Sequence, residues 1–258
     1  MSDAPRSEGG LVARDLTVRY GGVVANEGVT IEVRPGQVVG LIGPNGAGKT
    51  TFVDAVTGFT ACEGSIHLDG RRIDDLAPHR RKAAGLTRTW QSGELFGNLT
   101  VRENLLVSAR SISFGSLFAD VFKPHKATEA GVEKALEVVG LRGVADVLAR
   151  DLTLGQQKLV GVARALAGRC SLVLLDEPAA GLDSNESLEF GERVREIAAD
   201  GPGVLLIDHD MSLVMSVSDV VYVLEFGKII FSGTPEDART DPAVVAAYLG
   251  VPMEAADA

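Results

Sequence analysis

The stretch with the clearest capacity for chemistry is rich in glycine and reads Gly43-Pro44-Asn45-Gly46-Ala47-Gly48-Lys49-Thr50-Thr51. It fits the pattern Gly-x-x-x-x-Gly-Lys-Thr and lies between an apolar run and a segment with helical spacing of apolar residues. Glycines leave backbone N–H groups able to face an anion at a helix N-terminus, where the helix dipole favours negative charge. The pattern predicts a phosphate-binding loop, in which Lys49 reaches the β- and γ-phosphates and the Thr50 hydroxyl binds Mg²⁺.

Two adjacent acids, Asp176 and Glu177, follow a continuous apolar run that is typical of a strand buried on both faces. Neighbouring positions in a strand point in opposite directions, so the two carboxylates can serve different purposes. Phosphoryl transfer needs one carboxylate that holds Mg²⁺ through its waters and another that polarises the attacking water. An acidic pair alone usually begins a solvated loop or helix. Beside a phosphate loop, the pair predicts Asp176 as a Mg²⁺ ligand and Glu177 as a catalytic residue.

Periodicity and turn residues predict the elements that would position these groups. Strands are expected over 11–20, 29–33, 38–42, 65–68, 85–90, 172–175 and 203–207, before a hairpin of 220–224 and 228–231. Helices are expected over 49–57, 101–109, 128–139, 156–166, 185–198, 212–217, 235–239 and 242–249, with Ser184 as the N-cap of the helix over 185–198. This order predicts an α/β fold with a P-loop core, a mostly parallel sheet and an antiparallel part near the N-terminus.

Helical patterns dominate between about 95 and 166, and strand–helix alternation resumes afterwards. We therefore predict a single domain over 11–250, with a core of 11–94 and 167–250 and an inserted helical subdomain. Short tails, 1–10 and 251–258, fall outside it. The segment 111–126 mixes phenylalanines with glycine and proline, so an irregular helical pair and a mobile insertion both stay open there.

The composition excludes several classes of protein. A formal net charge of −10 opposes a nucleic-acid binder, which usually carries a basic stripe. The basic clusters 71–72 and 79–82 are interpreted first as solvated faces and otherwise as contacts with a nucleotide or a partner. Two distant cysteines without neighbouring ligands disfavour a disulfide or zinc site. The absence of an apolar run of membrane-spanning length, and of a signal-peptide core, leads us to expect a cytoplasmic protein.

Taken together, the phosphate loop and the acidic pair resemble the nucleotide-binding subunit of ABC transporters over nearly the whole chain, from 11 to 250. Further positions match that family's motifs in order. The resemblance implies that Tyr20 stacks on adenine, that Gln91 binds Mg²⁺ and senses a transmembrane partner, and that Asp183 belongs to the D-loop at a dimer interface. It also implies that His209 touches the γ-phosphate and orients Glu177.

The family's signature, Leu-Ser-Gly-Gly-Gln, is matched by the segment 152–156, in which Thr153, Leu154, Gly155 and Gln156 are expected to act on the ATP of a partner subunit. Thr153 keeps a hydroxyl, so donation to a γ-phosphate survives. Leu154 replaces a glycine, which makes the loop less permissive, and importers for branched-chain amino acids usually have a bulky residue there.

Within the family, the resemblance is strongest to bacterial importer ATPases for branched-chain amino acids and related amides such as urea. It rests on the segments 41–51, 87–91, 154–157, 208–211, 233–236 and 247–250. It implies an ATPase that uses ATP and Mg²⁺, with Lys49, Glu177 and His209 as catalytic residues. The implied partners are permease subunits, a second identical or similar ATPase subunit and a solute-binding protein, at the inner face of the membrane. A lipid or lipopolysaccharide exporter's ATPase and a non-transport ABC ATPase are the alternatives.

Overall fold

The computed structural model of this chain describes residues 9–89, 95–109 and 126–249. These ranges contain ten strands: β1 (Leu11–Tyr20), β2 (Val23–Val33), β3 (Val38–Ile42), β4 (Glu63–Leu68), β5 (Arg71–Arg72), β6 (Leu86–Arg88), β7 (Leu172–Asp176), β8 (Gly203–Ile207), β9 (Val220–Glu225) and β10 (Lys228–Gly233). The larger sheet has the order β10-β9-β3-β8-β7-β6, and the smaller one has the order β2-β1-β4-β5.

The larger sheet is parallel except for the β9–β10 hairpin. Its central strands β3, β7 and β8 are buried along their whole length, as their continuous apolar sequences require. The register pairs Asp176 with Ile207, and it pairs Ile207 with Leu41. The carboxyl ends of β3, β7 and β8 therefore meet at one edge, where the phosphate loop, the acidic pair and His209 begin.

The smaller sheet is antiparallel, and it confirms the predicted antiparallel part near the N-terminus. Its second strand is longer than the predicted 29–33, since pairing with β1 continues back to Val23. Gly28 lies at φ 62° within β2, and shifts of register occur along β1. These irregularities interrupt the alternation on which the sequence-based prediction depended.

Nine α-helices lie within the described ranges: α1 (Lys49–Thr57), α2 (Pro78–Ala84), α3 (Val101–Ala109), α4 (Lys126–Val138), α5 (Leu154–Leu166), α6 (Ser184–Ala199), α7 (Met211–Val217), α8 (Pro235–Thr240) and α9 (Pro242–Leu249). Helices α3, α4 and α5 pack on one another. Their packing supports a helical subdomain, whose bounds stay a prediction. Residues 1–8, 90–94, 110–125 and 250–258, and with them Gln91 and nearly all of segment 111–126, lie outside the described residues.

Helix α2 was missed by the sequence analysis, and the interpretation of 79–82 as a solvated face was wrong for Arg81. This residue is only 4% exposed. Its guanidinium donates to the carbonyl oxygens of Ala55 and Val56, at 2.8 and 2.7 Å, in the last turn of α1. A buried cation at a helix C-terminus satisfies carbonyls that have no partner within the helix. The contact joins α2 to the phosphate-loop helix.

The N-cap of α6 is Asp183, and the prediction of Ser184 was wrong by one residue. The Asp183 carboxylate accepts hydrogen bonds from the backbone N–H groups of Asn185 and Glu186, at 2.8 and 2.9 Å. The Glu186 side chain accepts in return from the Asp183 N–H, which completes a capping box. Both Asp and Ser are good caps, so the local sequence did not decide between them.

Two apolar clusters lie on opposite faces of the larger sheet. Val173 and Leu175 point into the cluster formed with helices α3–α7, and Leu172 and Leu174 point into the cluster formed with α1 and the antiparallel sheet. Successive side chains of a strand face opposite sides, so both faces of β7 are covered. The sheet is thus held rigidly between two layers, and its carboxyl edge is a fixed platform for the residues that follow it.

Candidate active site

The predicted phosphate loop connects β3 to α1, and its backbone requires glycine at three positions. Gly43, Gly46 and Gly48 have φ values of 152°, 81° and 104°. A Cβ atom at Gly43 would clash with the Leu224 carbonyl oxygen, and one at Gly48 would lie 2.6 Å from the carbonyl oxygen of Ala25. The loop is therefore wedged against β9 and β2 while α1 begins with its N–H groups unpaired by a capping side chain.

Lys49 lies across this loop. Its Nζ donates to the carbonyl oxygens of Gly43 and Pro44, at 2.6 and 3.1 Å. Partial burial lowers the pKa of the ammonium group, and the negative charges of Glu177 and Asp176 oppose this shift. The lysine is thus within electrostatic reach of Asp176, the predicted Mg²⁺ ligand, and of Glu177, the predicted catalytic acid, so the structure brings these three residues together.

Glu177 follows β7 with an unusual backbone. Its φ is 47°, in the left-handed region, which residues other than glycine occupy at a cost of about 1–3 kcal/mol. Its N–H donates to the Ile207 carbonyl oxygen at 2.7 Å. This bond ties the residue to the end of β8, the strand that leads directly to His209. The surrounding strands thus maintain a strained position for the carboxylate.

Asp176 is buried, with 8% of the residue exposed. One carboxylate oxygen accepts a hydrogen bond of 2.7 Å from Arg88 Nη2, and Arg88 Nη1 donates over 2.6 Å to Asp54 on α1. Neither Arg88 nor Asp54 was singled out by the sequence analysis. An arginine inside a predicted strand is the signal that could have found these partners, because a buried cation requires anionic partners.

His209 is placed at the predicted strand end, and its side chain is 65% exposed. Its Nδ1 lies 3.5 Å from an oxygen of the fully buried Asp208 carboxylate. That carboxylate also accepts from the N–H groups of Ala179 and Asp210, at 3.2 and 3.0 Å. The buried Asp208 carboxylate therefore links the segment that follows Glu177 to the backbone next to His209, whose ring lies at the surface.

Tyr20 ends β1, and its ring is exposed as a stacking platform requires. Its hydroxyl shares a hydrogen bond of 3.2 Å with the hydroxyl of Thr60, beyond the C-terminus of α1. The neighbouring strand contacts the phosphate loop directly, since Asn26 Nδ2 donates to the Gly48 carbonyl oxygen at 3.2 Å. The tyrosine and the loop are thus held by one hairpin.

The signature segment begins α5, two residues earlier than predicted. Thr153 is the N-cap: its hydroxyl oxygen accepts from the Gln156 N–H at 3.2 Å, and Gln156 Oε1 accepts from the Thr153 N–H at 3.1 Å. The threonine O–H can still donate. The exposed Leu154 lies beside Gly181, two residues before Asp183, which the sequence analysis predicted to be in the D-loop. The predicted signature and D-loop segments are therefore neighbours.

Tyr248 near the end of α9 is a further residue that the sequence analysis did not place in the site. Burial raises the pKa of its hydroxyl to about 12, against the opposing effect of a hydrogen bond from the backbone amide of Gly43. The C-terminal helix therefore contacts the first glycine of the phosphate loop.

The residues of this site fit a nucleoside triphosphate bound with Mg²⁺. Cβ atoms added at Gly43 and Gly48 would clash with the surrounding backbone, so the shape of the loop depends on glycine at both positions. The buried Asp176 carboxylate supplies the hard oxygen ligands that Mg²⁺ prefers. No cluster of three or more His, Cys, Asp or Glu side chains in the described part of the chain could hold a metal by itself. Mg²⁺ needs no such cluster, because it is usually held by one or two carboxylates, by phosphate oxygens and by waters.

Comparison with known families identifies the class of protein. Residues 26–180 match the sequence profile of the ABC transporter family, and residues 228–253 match that of branched-chain amino acid ATP-binding cassette transporters. The chain belongs to the ATP-binding subunits of ABC transporters and is an ATPase. The expected fold, nucleotide and enzymatic class are thereby confirmed.

Three relatives indicate the kind of ABC transporter subunit that this chain resembles. The high-affinity branched-chain amino acid transport ATP-binding protein BraF of Pseudomonas aeruginosa is 40% identical over 243 residues, 91% of this chain and 95% of BraF. LivG of Escherichia coli, described in the same words, is 38% identical over 93% of this chain and 97% of its own length. A probable LivG of Archaeoglobus fulgidus is 35% identical over 93% of this chain and 95% of its own length.

Solved structures agree with the fold. An ATP-binding cassette of an ABC transporter in its ADP conformation superimposes with a TM-score of 0.82 at 31% identity, over 94% of this chain and 99% of its own. A nucleotide-free cassette gives a TM-score of 0.80 at 30% identity, over 93% and 98% of the two chains. Within 9–89, 95–109 and 126–249, no helix has the length and apolar character to cross a bilayer.

Proposed function

We propose that this chain powers the import of branched-chain amino acids, or of related small polar solutes, through a separate transmembrane permease. The observation that carries the proposal is the match of residues 228–253 to the branched-chain transporter profile, beyond the general ABC match of 26–180. The identity of 40% with BraF over 91% of the chain supports the same solute class.

The nucleotide is held by its phosphates at the carboxyl edge of the larger sheet. Backbone N–H groups within 43–51, other than at Pro44, which has none, donate to phosphate oxygens at the start of α1, and Lys49 moves from the carbonyls of its own loop to the β- and γ-phosphates. Tyr20 stacks on adenine with its exposed ring. The rigid hairpin that carries Tyr20 and contacts Gly48 sets the distance between base and phosphates.

The Thr50 hydroxyl, Gln91 and, through water, Asp176 would hold Mg²⁺. When bound, the ion neutralises charge on the β- and γ-phosphates. Glu177 accepts the proton of the attacking water, from a backbone position fixed by its bond to the Ile207 carbonyl. His209, anchored by Asp208, donates to the γ-phosphate and orients the carboxylate.

The phosphate loop contacts the triphosphate from one side, so catalysis requires donors from the other. The segment Thr153–Gln156 of a second subunit supplies them, since the Thr153 hydroxyl and the N-terminus of α5 present donors at an exposed surface. Asp183 lies on the same surface. The assembly is a head-to-tail dimer of this chain, or of this chain with a similar ATPase.

The transporter contains this ATPase at the inner face of the membrane, with Gln91 near the permease and a solute-binding protein that delivers the solute. To test this, we would purify the complex from native membranes, identify the permease by mass spectrometry and reconstitute it in vesicles with radiolabelled leucine. ATP-dependent uptake that Glu177→Gln abolishes is the expected result. Recovery of a lipid-exporter permease, or absence of uptake with the complete complex, would refute the proposed solute class.

A further inference from the structure

Arg88 is an arginine within the larger sheet whose side chain is only 9% exposed. Its two terminal nitrogens donate in different directions, over 2.6 Å to Asp54 Oδ1 and over 2.7 Å to Asp176 Oδ2. The three residues come from separate elements: Asp54 from the phosphate-loop helix α1, Arg88 from β6 and Asp176 from the end of β7. One guanidinium thus joins the phosphate-binding and the metal-binding parts of the site.

The planarity of the guanidinium gives this bridge its geometric effect. Because Nη1 and Nη2 are held in one rigid plane, a bond at each end fixes the orientation of Asp176 relative to Asp54. The Asp176 side chain is 10% exposed, so water cannot readily replace the arginine as its partner. The bond engages Oδ2, so the carboxylate would keep Oδ1 as an acceptor for a ligand of the site.

Strand β6 also leads toward the predicted coupling residue. Thr89, directly after Arg88, donates from its N–H to the Leu174 carbonyl oxygen at 2.9 Å, so the end of β6 stays attached to β7 up to the last described residue before Gln91.

We propose that Arg88 is a positioning residue that fixes Asp176 for Mg²⁺ and makes the metal position depend on the phosphate-loop helix through Asp54. The proposal rests on the function proposed above for Asp176. It assigns no contact with ATP to Arg88. Its effect is exerted through the carboxylate, so it alters the contribution of Mg²⁺ to nucleotide binding and leaves metal-free nucleotide binding unchanged.

The test measures the affinity of the full chain for a fluorescent ATP analogue in EDTA and in excess Mg²⁺. In Arg88→Gln, the tightening caused by Mg²⁺ should fall roughly tenfold, the usual scale for a residue that supports a metal ligand, while the affinity in EDTA stays within about twofold. Arg88→Lys should recover part of the effect, because one ammonium group pairs with one carboxylate but does not bridge both.

The matched control is Arg72→Gln, which breaks a bifurcated hydrogen bond from Arg72 Nε to both carboxylate oxygens of Asp74, away from the site, and should retain the parent ratio. Equal weakening in EDTA and in Mg²⁺ would show a merely structural arginine and overturn the proposal, as would a parent-like ratio in Arg88→Gln. If Arg88→Gln does not fold, Asp54→Asn decides: the Mg²⁺ effect should fall there too, and an unchanged ratio overturns the proposal.

Hydrolysis by the parent protein distinguishes a failure of the proposed function from a failure of the role proposed for Arg88. A parent without Mg²⁺-dependent hydrolysis contradicts the proposed function itself. A parent with normal Mg²⁺-dependent hydrolysis, together with unchanged variants, contradicts only the role of Arg88.

Discussion

The ammonium nitrogen of Lys49 donates a hydrogen bond to the Gly43 carbonyl oxygen over 2.6 Å, so the lysine is held against the first residue of its own loop. The backbone amide of Gly43 also opposes the rise in the pKa of the Tyr248 hydroxyl on the C-terminal helix. The first residue of the phosphate loop is thus contacted by Lys49 and lies near an element beyond the general ABC match.

Replacing Lys49 with alanine should weaken ATP binding by at least roughly tenfold, because a charge-assisted contact to the phosphates is lost. Titration with fluorescent ATP measures the effect. Lys134→Ala is the matched control, since that lysine pairs with Asp200 at a surface lined by other elements and is 62% exposed. Parent-like affinity in Lys49→Ala would remove the lysine from the phosphate site.

Glu177→Gln should keep ATP binding and lose hydrolysis by roughly a hundredfold or more, the usual effect of removing a general base. Because the amide is nearly isosteric, the strained backbone at φ 47° should remain. ATP should then shift this variant to twice its mass on a sizing column. Near-normal turnover contradicts the role of Glu177, and an unchanged mass, alone or with a similar ATPase from the same transporter, contradicts the dimer.

Phe226→Asn should raise the free energy of unfolding by about 1 kcal/mol. Phe226 and Gly227 form the two-residue turn between β9 and β10 with φ values of 44° and 78°, a type I′ arrangement that favours Asn-Gly. The phenylalanine is 86% exposed, so little packing is lost. Urea unfolding measures the change.

The neighbouring Gly227 provides the opposite control. Gly227→Ala should destabilise the protein, since its Cβ would lie 2.6 Å from the Ala25 carbonyl oxygen. A loss of stability in Phe226→Asn would mean that the exposed ring contributes contacts that offset its strained backbone.

The stabilising effect of Asp74 should depend on pH. A hydrogen bond from Arg72 lowers the pKa of this carboxyl to about 2, from an ordinary value of 3.8. Because the folded pKa is the lower one, the stabilisation is complete above about pH 4 and is lost as the pH falls toward 2. The difference in melting temperature between the parent and Asp74→Asn should therefore shrink from pH 7 to pH 3.

Arg72→Gln is the companion variant for that measurement. It removes the largest cause of the lowered pKa, so its own deficit in melting temperature should shrink over the same range. A deficit in Asp74→Asn that is equal at both pH values would contradict the assignment.

The sequence by itself determined the phosphate loop, the acidic pair and nearly all the strands and helices, because these follow from local spacing and periodicity. It missed α2, whose basic residues carry no apolar period, and it placed the N-cap of α6 one residue late. It also left the roles of Gln91, His209 and the signature segment as predictions, since each depends on what lies across the site.

Only the tertiary structure decided which groups meet. Arg88 contacts acids that are 34 and 88 residues away in sequence, and Arg81 caps a helix that ends 24 residues earlier. Contacts of this kind depend on the order of the strands in the sheet. Strands β6 and β7 are neighbours there although helices α3, α4 and α5 separate them in sequence. Local propensity determines the type of an element, whereas burial of its charged side chains is determined by its neighbours in space.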